Sequence, residues 1–235
     1  MKKIIAMLLV LCMALSFVAC SSGAMTHEEY MAAELDSAVT IETYVQGHQS
    51  WWDNKVTVYC QSKDGAYFLY EMACSEEDAA KLVPGTKILV TGTKAEWSGE
   101  VEIVDATIEV LEGSYIVEEA FDATALLGTE ELEGYMNSLV AFKGLTVAAS
   151  NDDGAAFLYK WDGSGSQGDD LYFNVTDGTN TYTFTVNAYM VGYGAGSDVY
   201  AAVEALNVGD VIDVEGFLYW YEGAQPHCTS GEVAE

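Results

Sequence analysis

Positive charge is what this chain has least of. Of its 235 residues nine are basic and 37 acidic, a formal net charge of −28. Affinity for nucleic acid comes largely from Lys and Arg neutralising phosphates, so a polyanion is disfavoured as a partner. Histidine is scarce too: His27, His48 and His227 are scattered, and none sits in a metal-ligand spacing. The phosphate-cradling G-x-x-x-x-G-K-[ST], the zinc-binding H-E-x-x-H and the nucleophile-elbow G-x-S-x-G are all absent. Two carboxylates could serve a glycosidase, but 37 acids offer no means of choosing a pair. No catalytic residue, no metal site and no cofactor is assigned from the sequence. Beyond residue 18 no apolar run is long enough to span a bilayer. Core material is ample: half the residues are hydrophobic and 12% aromatic, which excludes a disordered chain.

The N-terminus reads as an export signal. Lys2 and Lys3 precede an apolar stretch over Ile4 to Val18, and Phe17-Val18-Ala19-Cys20 is succeeded by Ser21-Ser22-Gly23. This resembles the bacterial lipoprotein signal, which implies lipidation of Cys20 and attachment to the membrane by acyl chains, facing outside the cytoplasm. Removing residues 1–19 takes away Lys2 and Lys3, leaving seven basic against 37 acidic residues and a formal charge of −30. Cys60, Cys74 and Cys228 then remain, an odd number that makes no disulfide framework; Cys60 and Cys74 could pair, but three buried or free thiols are the favoured reading. Residues 20–37 form a tether and a short helix, since Thr26-His27-Glu28-Glu29 has capping-box spacing ahead of Tyr30, Met31 and Leu35. The helix is expected to run to about Ser37.

A long internal repeat organises the rest of the chain. Residues 82–99 and 206–223 share, without a gap, the pattern L-x-x-G-x-x-I-x-V-x-G-x-x-x-x-[WY]-x-G. An offset of this length marks a duplicated domain, not a solenoid unit. The first copy spans residues 38–113 and the second 136–235, with 114–135 as a linker. In the first, Val39, Ile41, Thr43 and Val45 alternate with polar residues, the period of a half-buried strand. Strand signals recur over Lys55–Gln61, Phe68–Met72, Ile88–Val90 and Val101–Ile103, with a hairpin at Asp64-Gly65 and a short helix opened by Ser75. The second copy repeats the order over Leu139–Val147, Leu171–Thr176, Tyr182–Val186, Ser197–Leu206 (helix), Val211–Tyr219 and Gln225–Glu235. Two insertions set it apart. Residues 151–170 are rich in Gly, Ser and Asp and read as a flexible loop, not an EF-hand: Gln167 and Phe173 stand where that motif needs Gly and Glu. Residues 188–196 are Gly-rich with Tyr189 and Tyr193.

The order β-β-β-α-β-β, twice, is that of the OB-fold. The predicted architecture is therefore all-β with short helices: two tandem OB-like five-stranded Greek-key barrels. With its Trp51-Trp52-Asp53 and Phe217-Leu218-Tyr219-Trp220-Tyr221 stretches, the chain is similar to an uncharacterised family of tandem OB-like bacterial lipoproteins. That resemblance implies architecture and no activity.

OB barrels bind on the face of strands 2 and 3, between the loop joining strands 1 and 2 and the loop joining strands 4 and 5. In the first copy these loops carry Trp51, Trp52, Asp53 and Trp97; in the second the strand 4–5 loop carries Tyr219, Trp220 and Tyr221. Aromatics there can stack on sugar rings or bases, with Lys55, Glu96 and Glu222 nearby to orient a ligand. The competing reading is that these rings close a barrel end or dock one domain on the other. The sequence thus points to a binding module for a carbohydrate, peptide or protein partner. An OB-fold nucleic-acid-binding protein is the alternative, and an envelope hydrolase the least supported reading.

Overall fold

The computed structural model describes residues 23–113 and 116–233. The expected signal segment 1–19 and the expected lipidation site Cys20 lie outside the described residues. Among those described, no helix is long and apolar enough to cross a membrane.

The first barrel is built from β1 (Ala38–His48), β2 (Lys55–Ser62), β3 (Gly65–Ala73), β4 (Lys87–Trp97) and β5 (Glu100–Val110). They close in the order β1-β2-β3-β5-β4, with β3 and β5 parallel and the other pairs antiparallel. Alternation decides which side chains go inward. Ile41, Val58, Cys60, Leu69, Ile88, Val90 and Ile103 are buried in one core, while Tyr59, Phe68, Glu100 and Glu102 occupy the outer phase of β2, β3 and β5. The second barrel repeats this with β7 (Leu139–Ala148), β9 (Leu171–Thr176), β10 (Thr181–Val186), β11 (Val211–Phe217) and β12 (His227–Val233). β7 pairs with both β9 and β11, and β12 joins β11 antiparallel and β10 parallel, which closes the ring. Two short strands flank it: β6 (Phe121–Asp122) on β7 and β8 (Phe157–Tyr159) on β9. The chain is thus mostly β, with two closed five-stranded barrels of OB topology.

The duplicated segment has a physical reading. Gly85 and Gly209 have φ of 90° and 98°, the left-handed conformation that side chains avoid. Ile88, Val90, Ile212 and Val214 fill the two cores. Gly92 and Gly216 sit at β-bulges where backbone crowds in. A Cβ at Gly92 would lie 2.6 Å from Ile103 Cγ2, and one at Gly216 would lie 2.6 Å from the His227 carbonyl oxygen.

Between strands 3 and 4 of each barrel lies a helix: α2 (Glu76–Ala79), capped by Ser75, and α3 (Asp198–Glu204), capped by Ser197. They plug the barrel ends with Ala79, Tyr200 and Val203. The N-terminal helix α1 (His27–Ala32) carries both hydrogen bonds of its capping box, Glu29 N–H to Thr26 Oγ1 at 3.2 Å and Thr26 N–H to Glu29 Oε2 at 2.9 Å. It ends at Ala32, short of the expected Ser37. The buried Lys94 explains this: its Nζ donates to the carbonyls of Met31 (2.7 Å) and Ala33 (2.8 Å), taking up acceptors that a longer helix would use.

Cys60, Cys74 and Cys228 are free and buried, which is the favoured reading of the three thiols. One other expectation is corrected. The insertion 151–170 is no open loop. It contains β8 and turns closed by Ser164 N–H to Asp162 Oδ1 (3.0 Å) and Ser166 N–H to Asp169 Oδ2 (2.9 Å). These bonds use the carboxylates that a calcium loop would have needed.

Candidate ligand-binding groove

The barrels are bolted together. On the outer phase of β2 and β3, Tyr59 and Phe68 meet Phe217 and Met190 of the second barrel in a separate buried cluster. Tyr59 and Phe217 stack with centroids 4.5 Å apart and planes 9° apart. Phe217 also rests against Gly47, where a Cβ would lie 2.9 Å from its ring. Burial of Phe68 and Phe217 contributes roughly 1.5–3 kcal/mol each. Main-chain bonds add direction: Val191 N–H to the His48 carbonyl (3.0 Å), Ser50 N–H to the Tyr189 carbonyl (2.7 Å) and Glu222 N–H to the Ser98 carbonyl (2.8 Å).

Two buried polar pairs sit in the same interface. The Tyr59 hydroxyl, whose pKa burial pushes up, is hydrogen-bonded to Nδ1 of His227. The imidazole is desolvated and its pKa is pushed down to about 3, so it is neutral. Glu100 is fully buried. Its Oε1 accepts from Asn137 Nδ2 (2.7 Å) and its Oε2 from Trp220 N–H (2.8 Å). Desolvation outweighs these two bonds, Glu102 repels, and the carboxyl is pushed up to about 8.

Docking covers part of the first barrel's strand 2–3 face, and a cleft of about 550 Å³ remains beside the interface. Its walls come from both barrels: Tyr70 and Trp97 from the first, and Trp161, Tyr172, Tyr221 and Asp170 from the second. Gln49, Asn187, Gln225 and Thr185 supply neutral polar groups. Trp97 ends β4 beside the Ser98-Gly99 turn, whose φ values of 51° and 93° suit a type I′ hairpin. Tyr172 and Thr185 are cross-strand partners on the outward face of β9 and β10. Trp161 comes after Lys160 at the tip of the insertion, held by Lys160 N–H to the Asp170 carbonyl (2.8 Å). Asp170 is lifted by burial, although its Oδ1 accepts from Ala188 N–H at 2.7 Å. Burial also raises the Tyr172 and Tyr219 hydroxyls, so both remain donors at neutral pH.

Of the sequence candidates, Trp52, Trp97 and Tyr221 are exposed at 80%, 61% and 47% and face this region. Trp51 is half-buried against the first core, its Nε1 donating to the Cys74 carbonyl at 2.8 Å. Trp220 packs on the second core, and Tyr219 stacks on His227 at 4.5 Å; both serve docking first. Asp53 holds the left-handed turn position at φ 48° and is not a wall residue. Sequence reasoning missed Tyr70, Trp161, Tyr172 and Tyr189. The usable signal was outward phase for Tyr70 and Tyr172, and a lone Trp in a polar insertion for Trp161. Among the described residues no group of three or more His, Cys, Asp or Glu is placed to hold a metal.

No protein-family model and no curated protein matches this chain. Solved structures with similar chain paths include "Structure of murine DNA binding protein bound with ds DNA", at TM-score 0.35 and 12% identity, covering 85% of this chain and 99% of that one. Another is "Crystal structure of p204 HINb domain", at TM-score 0.33 and 11% identity, covering 82% and 95%. A third is a deletion mutant of the single-stranded DNA binding protein from Thermus aquaticus, at TM-score 0.27 and 12% identity, covering 84% and 94%. Likeness at this level is one of chain path. The barrel assignment stands on the strand pairing, and the ligand question on the groove.

Proposed function

We propose that this chain is a binding module for a neutral carbohydrate, held at the cell surface by a lipid on Cys20. One observation carries the ligand class. Among the described residues seven aromatic side chains are strongly exposed, and six of them (Trp52, Tyr70, Trp97, Trp161, Tyr189 and Tyr221) line the groove and the depressions beside it. Exposed rings gathered in one concave region mark a binding surface, because isolated packing would scatter them. Flat rings among amides and hydroxyls, with Asp170 the one carboxyl of the central cleft, suit the apolar faces and hydroxyl edges of pyranose sugars. Closed barrels favour this over a peptide, since strand addition needs an open sheet edge. The free edge of β8 is three residues long.

Nucleic acid is the second reading, favoured by the same rings, which could stack bases on an OB face. Charge weighs against it. The chain contains no arginine, and the lysine on the groove walls, Lys55, is engaged by Glu71 at 2.7 Å.

Titration calorimetry with soluble oligosaccharides and with single-stranded oligonucleotides separates the two. The carbohydrate reading expects saturable binding of a neutral oligosaccharide, lost in Trp97→Ala combined with Trp161→Ala while the melting temperature holds. Oligonucleotide binding that weakens steeply with salt would replace it with the nucleic-acid reading. Metabolic labelling with an alkynyl fatty acid, compared with Cys20→Ala, tests the anchor.

A further inference from the structure

Three depressions adjoin across the molecule. At one end a hollow of about 430 Å³ is lined by Trp51, Trp52 and Tyr189. The central cleft lies next to it, and beyond that a hollow of about 510 Å³ is lined by Leu132, Tyr182 and Trp220. Gln49 and Tyr70 are walls of both the first and the central spaces. Tyr221 and Gln225 are walls of both the central and the third. The three are therefore neighbours in a row, each boundary formed by two shared residues.

From this continuity we propose that the chain carries one composite site that takes a linear polymer of neutral sugar units across both barrels, instead of one independent site per barrel. The inference rests on the carbohydrate reading above and adds ligand length and stoichiometry to it. Each depression alone falls in the range that holds a small ligand, about 300–1,000 Å³. A monosaccharide would occupy one and leave the other aromatic walls bare. The rings are spread along the whole path: Trp52 and Tyr189 at one end, Trp97 and Trp161 at the centre, Tyr221 at the second boundary and Tyr182 at the far end. The interface that joins the barrels keeps these walls in fixed register. Tyr189 of the second barrel sits over Trp51 and Trp52 of the first, with the Ser50–Tyr189 main-chain bond fastening that corner. Phe217, docked over Tyr59 and Phe68, covers the middle of the first barrel's own strand 2–3 face and leaves open the parts that wall the end hollow and the central cleft.

The experiment is calorimetric titration of the full chain with unit-length ladders, two to six sugars long, of β-1,4-glucan, β-1,3-glucan, α-1,4-glucan, β-mannan and chitin. The expected result is one ligand per chain, with affinity rising at least tenfold between trimer and hexamer of the ladder that binds. Trp52→Ala, at one end, and Thr181→Trp, an exposed β10 position that would block the other end, should each weaken the hexamer at least tenfold and change the trimer less than twofold. Two equal sites per chain, or an affinity that stops rising at the disaccharide, would overturn the composite site and leave the carbohydrate reading standing. Failure of every ladder to bind would overturn the carbohydrate reading and this inference with it.

Discussion

Replacing Glu100 with glutamine should make this protein more stable in mild alkali. Glu100 is fully buried between the barrels, next to Glu102, with two N–H donors pointed at it. Two bonds to a carboxylate are worth roughly 1.5–3 kcal/mol each. Removing an ion from water costs several kcal/mol even after relaxation. The balance raises the carboxyl from its ordinary value of 4.5 to about 8. A raised acid is stabilised in its neutral form, so its contribution is complete below about 4.5 and is lost as pH rises through about 8. At 1.36 kcal/mol per pH unit the loss at pH 8 reaches a ceiling of about 5 kcal/mol. Glutamine cannot ionise. Its carbonyl can still accept from Trp220, and its amide can donate to Asn137 once that side chain turns over to present Oδ1, now buried with no partner, in place of Nδ2. Thermal unfolding of the full chain and Glu100→Gln at pH 5 and pH 8 reads the difference. A gain of about 2 kcal/mol at pH 8 raises the melting temperature by roughly 4–8 °C in a chain of this size. Little change is expected at pH 5. An equal effect at both values, or a variant less stable than the parent chain at pH 8, would show that the carboxyl is ionised in the fold and that its two donors win.

The interface and the groove set three further outcomes. The His227 ring should show no titration by NMR between pH 8 and pH 5; a midpoint near 6.5 would contradict its burial against Tyr59 and Tyr219. Since its folded pKa is depressed, the stability it contributes is present above about 6.5 and lost as pH falls toward about 3. Phe217→Ala should cost about 3–5 kcal/mol and split calorimetric unfolding into two transitions, because it empties the cluster that joins the barrels; a single unshifted transition would show that the main-chain bonds suffice. Trp161→Ala should leave the melting temperature within about 1 °C, since the ring is 76% exposed; a large drop would make it a packing residue.

The barrels themselves were legible in the sequence. Period-2 alternation separated the inward Ile41, Ile88, Val90 and Ile103 from their polar neighbours, and the repeat aligned Gly92 with Gly216, where the strand pairing shows equivalent bulges. Docking was not legible. Tyr59 and Phe68 stand in outward phase, and an outward aromatic looks the same in sequence whether it awaits a ligand or a second barrel. For that reason Tyr219 and Trp220 were grouped with Trp97, although they pack and Trp97 does not. Helix ends were misjudged where tertiary contacts decided them, as with Lys94 taking the last carbonyls of α1. β8 and Trp161 were hidden by composition: in residues 151–170 polar turn residues surround a three-residue strand whose apolar side chains are only half-buried.

The cover laid by the second barrel over Tyr59 and Phe68 also has a chronology. A chain made from its N-terminus completes β1 to β5 while the strands that shelter those rings do not yet exist. Until Phe217 is synthesised and β11 closes, the first barrel carries an apolar patch where its finished form has none. Its hazards of aggregation and proteolysis are therefore concentrated in that interval, and a truncated chain ending in the linker would live in it permanently.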